Sequence, residues 1–337
     1  MSASPSERRF VVFIPEPFPE QALEVLGPGF EVRQGRIGKA YTEAELMTLL
    51  VDVDAVATNS RDSFTRRVIE GAPRLRVIAK AGSKPSSNVD MAAAERRGVR
   101  VTWTPGANAV SVAEMTMAMM LTVVRRLPEA SERLRAGGWR SMDLLGNELA
   151  GRTLGLVGLG AVGREVARRF QVFGGRVLAF DPYVDRETSL KLGVEGVENL
   201  SDLYRRSHIV SLHCEMNGRT AHMIDAEALA CMRPDAVLIN TARGGLVDES
   251  ALLDALEAGR PWAAALDVFE NEPTRPEHPL LRHPRVFATP HTAAFTHEAS
   301  LRESAWALED AGRVLQGLEP VHLGAAPHTA SCATPGP

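Results

Sequence analysis

Gly158, Gly160 and Gly163 lie within Leu154-Gly-Leu-Val-Gly-Leu-Gly-Ala-Val-Gly-Arg164, a GxGxxG spacing between an apolar run and an amphipathic one. In such a turn the first glycine permits the tight bend and the second lets backbone approach a pyrophosphate. The third lets helix and strand pack closely. The helix that follows turns its unpaired N–H groups and positive dipole end toward the phosphates. Asp181 ends the next apolar run, where a carboxylate can bond ribose hydroxyls and repel a 2′-phosphate. The arrangement predicts a dinucleotide site, with Gly158, Gly160, Ala161, Val162, Gly163 and Asp181 at the cofactor and NAD preferred over NADP. Arg186 is the neighbour that would favour a phosphate instead. A bare GxGxxG also occurs in structural turns; the strand–turn–helix context and Asp181 favour the dinucleotide.

Three further segments follow apolar runs: Asn240-Thr-Ala-Arg-Gly-Gly-Leu-Val-Asp-Glu249, Ala265-Leu-Asp-Val-Phe-Glu-Asn-Glu-Pro273 and Thr289-Pro-His-Thr-Ala-Ala294. The guanidinium fork of Arg243 suits a carboxylate and a carbonyl oxygen. A histidine near a carboxylate has its proton favoured and can act as general acid–base near neutral pH. Singly, each has a plain alternative: Arg243 in a structural salt bridge, His291 as a hydrogen-bonded core histidine. Their recurrence on successive post-strand loops beside a dinucleotide turn argues for chemistry.

Positioning these groups requires a regular scaffold, and the sequence has one. Apolar β-rich runs at Phe10–Ile14, Ala55–Thr58, Leu75–Ala79 and Val99–Thr102 alternate with helical patterns at Pro19–Leu26, Thr42–Val51, Thr65–Ala72 and Met91–Arg97. A second series runs through Thr153–Val157, Arg176–Phe180, Ile209–His213, Ala236–Asn240, Ala263–Val268 and Val286–Thr289. Such alternation predicts an α/β fold of doubly wound parallel sheets. Between the series, Ala107 to Arg126 reads as one long helix, with Ser111 and Glu114 as a capping pair. Its face of Val112, Met115, Met119, Val123 and Leu127 reads as core or subunit interface. Met115, Met117, Met119 and Met120 as a cofactor or partner groove is the less economical reading.

Composition bounds the rest. The 337 residues suggest two domains, and 45% hydrophobic with 24% charged residues is the balance of a soluble globular protein. A formal charge of −4 provides no basic footprint for nucleic acid. No apolar run approaches the roughly 18 residues of a membrane span, and the first residues do not read as a signal peptide. Cys214, Cys231 and Cys332 lack metal-site or disulfide spacing, so no metal is expected and a cytoplasmic location is. Residues 324–337, rich in Ala, Pro, Ser and Thr, read as a disordered tail.

The chain resembles the D-isomer-specific 2-hydroxyacid dehydrogenase family, closest to its phosphoglycerate dehydrogenase-like branch. The resemblance spans about residues 10–323. It is carried by Thr104-Pro-Gly-Ala-Asn-Ala-Val-Ser-Val-Ala-Glu114, by Gly146-Asn-Glu-Leu-Ala-Gly151 before the glycine turn, and by the three segments above. It implies hydride transfer between NAD(H) and a 2-oxo acid/D-2-hydroxy acid pair. Arg243 would bind and polarise the oxo acid, His291 would move the proton, and Glu272, rather than Glu270, would pair with His291. Asp267 would face the nicotinamide, while Cys214, Thr241 and Ala242 would contact the cofactor through backbone or packing. Nothing near Cys214 suggests a nucleophile. Two Rossmann-like domains are implied: a discontinuous substrate domain (1–103 and 296–323, the latter carrying the last helix, Thr296–Gln316) and a dinucleotide domain (104–295). The implied partners are a small anionic substrate and a second copy of the chain, with the methionine helix at the homodimer interface.

One loop departs from the family. Where a glycine-rich turn is usual, this chain has Ala81-Gly-Ser-Lys-Pro-Ser-Ser-Asn-Val-Asp90. Gly82, Ser83 and Lys84 are therefore candidate substrate contacts, Lys84 for a second anionic group as in a phosphoglycerate- or phosphonopyruvate-like acid. A solvated surface lysine is the alternative. Trp103 replaces a polar residue, Glu215 a proline, and Asn59 an arginine, with Arg61 two residues on. These departures bear on substrate identity, leaving open a phosphite-type dehydrogenase or a non-catalytic NAD-sensing relative of the corepressors.

Overall fold

The computed structural model describes residues 9–59, 61–82 and 88–322. The polypeptide divides into two units, one comprising residues up to Asn108 together with those from Thr296 onward, the other Ala109–Phe295.

The first unit carries five parallel strands: β1 (Phe10–Ile14), β2 (Phe30–Gln34), β3 (Ala55–Thr58), β4 (Val77–Lys80) and β5 (Arg100–Trp103). Their spatial order is β2-β1-β3-β4-β5. Because strand side chains alternate between faces, Val11 and Phe13 enter one apolar layer while Val12 and Ile14 enter the other. Helices Glu43–Leu49, Arg66–Gly71 and Met91–Arg97 supply Leu46, Val68 and Ala93 to the first layer. Helix His297–Leu315 covers the opposite face with Ala307, Leu308 and Ala311. This last helix is the expected Thr296–Gln316 segment: the Thr296 hydroxyl accepts the Ala299 N–H, and Gln316 closes it. Thr42 and Glu45 make a capping box on the Glu43–Leu49 helix.

Strand β2 was not legible in the sequence. Phe-Glu-Val-Arg-Gln lies at the sheet edge, partly exposed throughout, so it lacks the continuous apolar run of the central strands.

The second unit carries seven parallel strands: β6 (Thr153–Val157), β7 (Arg176–Phe180), β8 (Glu195–Gly196), β9 (Ile209–Leu212), β10 (Val237–Asn240), β11 (Ala263–Leu266) and β12 (Val286–Ala288). Their order, β12-β11-β10-β9-β6-β7-β8, reverses direction between β6 and β9. That is the switch point at which doubly wound sheets bind dinucleotides. The two-residue edge strand β8 is too short to leave a periodic signal.

One expectation for the long helix is corrected. It spans Ala109–Val124, so Ser111 lies inside its first turn and Glu114 reaches out to Arg169 at 3.1 Å, forming no capping pair. Met117, Met119 and Met120 are buried in this unit's own core with Leu154, Leu156 and Phe170, one of the two places expected for that face. The exposed apolar residues come next: Leu127 and Leu134 on helix Leu127–Arg135, then Trp139, Met142 and Leu145. Among the described residues no helix is long and apolar enough to cross a membrane.

Candidate active site

The residues singled out in the second unit follow the carboxyl ends of its strands. Gly158 follows β6, Asp181 β7, Cys214 β9, Arg243 β10, Asp267 β11 and His291 β12. One edge of one sheet thus collects the glycine turn, the arginine and the histidine.

The three glycines are required for three different physical reasons. Gly158 has φ +99°, and a Cβ on it would lie 2.7 Å from the His213 carbonyl oxygen. A Cβ on Gly163 would lie 2.3 Å from the Gly158 oxygen, so helix Ala161–Val172 approaches the turn only without one. A Cβ on Gly160 would meet nothing within 4 Å, which leaves the space in front of the helix N-terminus open. No side chain caps that helix, and its first intrahelical bond runs from the Arg164 N–H to the Gly160 oxygen at 3.0 Å. The N–H groups of Ala161, Val162 and Gly163 precede it and are the donors a pyrophosphate requires.

Asp181 is tied into this turn. One carboxylate oxygen accepts the Leu159 N–H at 2.7 Å and the other the Tyr183 N–H at 2.9 Å. Each oxygen keeps a lone pair for a ribose hydroxyl. The open position at Gly160, the uncapped helix and the anchored carboxylate together fit a dinucleotide.

On the neighbouring β9 loop, burial pushes the His213 imidazole down to about 3, and its Nε2 lies 2.9 Å from the Ser211 hydroxyl. Burial likewise pushes the Cys214 thiol up to about 11, and its sulfur faces Met223 at 3.7 Å. A neutral, packed thiol is no nucleophile.

After β10, the side chain of Asn240 shapes the arginine loop. Its amide nitrogen donates to the Arg243 carbonyl at 2.8 Å, and its oxygen accepts the Ala242 N–H at 3.0 Å. The Thr241 hydroxyl lies 2.9 Å from that of Thr116 on the long helix. Arg243 is exposed, with one guanidinium nitrogen 2.6 Å from the Ala242 oxygen. The sequence reading missed Asn240; its signal was a strand-ending asparagine three residues before the arginine.

Asp267 is fully buried. Its carboxylate accepts the Thr289 hydroxyl and the Thr292 and Ala293 N–H groups, the latter two at 2.8 Å. Its carbonyl accepts the His291 N–H at 2.7 Å. These bonds fasten the histidine loop to Asp267. The fastening holds His291 at φ +54°, a left-handed conformation that costs a non-glycine residue energy and persists where surrounding bonds impose it.

His291 Nδ1 lies 2.6 Å from Glu272 Oε2, and Glu272 Oε1 accepts the Phe269 N–H at 3.0 Å. Of the two glutamates in Phe-Glu-Asn-Glu, Glu272 meets the histidine, whereas Glu270 turns to Glu249. Arg243 and Glu272 sit on loops in direct contact, because a Cβ on Gly244 would lie 1.9 Å from the Phe269 carbonyl carbon.

In the first unit, Gly82 follows β4, and its N–H donates to the Thr104 hydroxyl at 2.7 Å. Ser83 and Lys84 lie outside the described residues, as does the tail 324–337. Asn59 follows β3 and donates to Glu16 at 2.5 Å, and Arg61 lies 3.3 Å from the same carboxylate.

Residues 117–293 match the family model described as D-isomer specific 2-hydroxyacid dehydrogenase, NAD binding domain. D-3-phosphoglycerate dehydrogenase of Methanocaldococcus jannaschii is 38% identical over 306 residues, covering 91% of this chain and 57% of that protein. The chain thus spans little more than half the length of the first curated relatives it matches. Hydroxypyruvate reductase of Thermotoga maritima is 39% identical over 296 residues, 87% of this chain and 94% of that one. Among solved structures, a protein from Thermus thermophilus superposes with a TM-score of 0.84 at 35% identity, covering 92% of this chain and 98% of its own. With this sheet order, this glycine turn and these matches, the chain belongs to the D-isomer specific 2-hydroxyacid dehydrogenase family and carries that family's NAD-binding domain.

Proposed function

We propose that this protein reduces a 2-oxo acid to the D-2-hydroxy acid, or runs the reverse oxidation, with NAD(H) as its dinucleotide. The observation that carries the reading is the 2.6 Å pair of His291 Nδ1 and Glu272, on the sheet edge that also bears the glycine turn and Arg243. The bound dinucleotide supplies or accepts the hydride at the substrate's C2. The Arg243 guanidinium holds the substrate carboxylate and polarises its carbonyl oxygen. Since Glu272 occupies Nδ1, the proton passes through Nε2: the imidazolium gives it to the oxygen as hydride arrives, and the imidazole takes it back in oxidation. Arg243 and the imidazolium together stabilise the charge growing on that oxygen. Glu272 fixes the ring, Asp267 fixes its loop, and Asp181 holds the adenosine ribose and sets the preference for NAD.

The proposed substrate class is a small 2-oxo acid, with a second anionic group on the substrate as the finer expectation attached to Lys84. Relatives named for phosphoglycerate, hydroxypyruvate and glyoxylate chemistry supply the panel. Turnover of glyoxylate, hydroxypyruvate and 3-phosphohydroxypyruvate is followed by NADH absorbance. The reading fails if none turns over while NADH still binds. Lys84→Ala should raise KM for the phosphorylated acid alone; an equal rise for all three would remove Lys84 from recognition.

A homodimer is proposed with it, supported by the exposed Leu127, Leu134, Trp139, Met142 and Leu145 along one stretch of the second unit. A cytoplasmic setting is proposed from the free thiols Cys214 and Cys231.

A further inference from the structure

Beside the proposed acid–base pair lies a group of two glutamates and two histidines that the chemistry above does not use. Glu249 opens helix Glu249–Glu257, and Glu270 lies two residues before Glu272. Each carboxylate accepts the other's backbone N–H: Glu270 N–H to Glu249 Oε1 at 2.9 Å, and Glu249 N–H to Glu270 Oε1 at 3.2 Å. Each also faces an imidazole. His278 Nε2 lies 3.1 Å from Glu249 Oε2, and His222 Nε2 lies 3.2 Å from Glu270 Oε1.

We infer that Glu249 and Glu270 are positioning residues for Glu272: their reciprocal clamp sets the turn that holds Glu272 against His291. Bringing two carboxylates together opposes folding unless each is met by donors. Here each has a backbone N–H and an imidazole, and Glu249 has a helix N-terminus as well. Backbone and ring contacts flank the turn. On one side a Gly244 Cβ would strike the Phe269 backbone at 1.9 Å; on the other the His278 ring meets the Phe269 ring edge-on, centroids 5.6 Å apart. Besides the clamp, Glu270 through Glu272 are held by the Phe269 N–H bond to Glu272, the Thr274 hydroxyl bond to the Asn271 carbonyl at 3.1 Å, and the His222 and His291 contacts. A displacement of about an ångström in an acid–base pair is enough to cost on the order of 100-fold in rate.

The inference rests on the acid–base reading above, and the experiment separates the two. Glu249→Ala, Glu249→Asp and Glu249→Gln are compared with wild type, with Glu270→Gln as a second site. Asp keeps the charge at the helix start but is one methylene short, and it serves if the alanine variant does not fold. Gln keeps an acceptor oxygen for the facing N–H. The expected result is a fall of about 10- to 100-fold in kcat for Ala and Asp, with KM and NADH affinity within about threefold of wild type. Both Gln variants should recover most of the rate. Independently of turnover, the His291 imidazole NMR resonances, assigned by their loss in His291→Asn, should move in Glu249→Asp and return in Glu249→Gln. Unchanged kcat per NADH-binding site in Ala and Asp overturns the inference, as do Gln variants no better than Ala. An inactive wild type overturns the acid–base reading instead, while unmoved His291 resonances still overturn the clamp.

Discussion

Glu272 and His291 come from different loops, after β11 and β12, yet a carboxylate oxygen of one lies 2.6 Å from Nδ1 of the other. The same glutamate spends its second oxygen on the Phe269 N–H, so it is itself held by backbone. A ring fixed at one nitrogen presents the other in a single orientation, which is what proton transfer to a bound carbonyl demands.

His291→Ala should retain NADH binding and lose about 100- to 10,000-fold in kcat, the usual span of general acid–base catalysis. Glu272→Gln, which keeps an acceptor but drops the charge, should fall between that variant and wild type. Steady-state kinetics with NADH titration checks both, and a His291→Ala protein at wild-type rate would remove the histidine from the chemistry.

Two glycine variants should behave oppositely. Gly160→Ala places its methyl in open space and should melt like wild type, yet bind NADH at least tenfold more weakly. Gly158→Ala forces φ +99° on alanine and drives its methyl toward the His213 oxygen, so it should melt several degrees lower. Calorimetry beside fluorescence titration distinguishes them; normal NADH affinity in Gly160→Ala would mean the pyrophosphate lies elsewhere.

His213 predicts a pH dependence of stability. Burial pushes its imidazole down to about 3, against about 6.5 in the unfolded chain. Between these values the unfolded state carries the extra proton, so stability falls as pH drops through the window. The slope approaches about 1.4 kcal/mol per pH unit from this group at most. His213→Gln should lose that component: its urea midpoint relative to wild type should improve from pH 7.5 to pH 5. Parallel curves would mean that the imidazole is not held neutral.

The exposed stretch from Leu127 to Leu145 predicts association. Leu134→Glu combined with Trp139→Glu should convert a dimer to a monomer by light scattering with little change in NADH affinity. A wild-type protein that is monomeric at micromolar concentration would sink the proposal.

The glycine turn and the strand series were readable because each rests on near neighbours in sequence. Glycines two and three apart and apolar runs of four or five residues are local signals. Edge strands β2 and β8 escaped because partial exposure or brevity erases the apolar run on which strand recognition depends. The methionine helix showed an apolar face, but periodicity cannot say whether a face meets its own sheet or a second chain. Packing turned Met119 and Met120 inward and left Trp139 and Met142 outside. Asp267 shows the same division. Its place at the end of a strand was legible, but its burial and its bonds to Thr292 and Ala293 depend on how β11 and β12 are paired. Residue types and spacing determined the class of chemistry; the partner of each charged group was decided only when parallel strands in register brought distant loops to one edge.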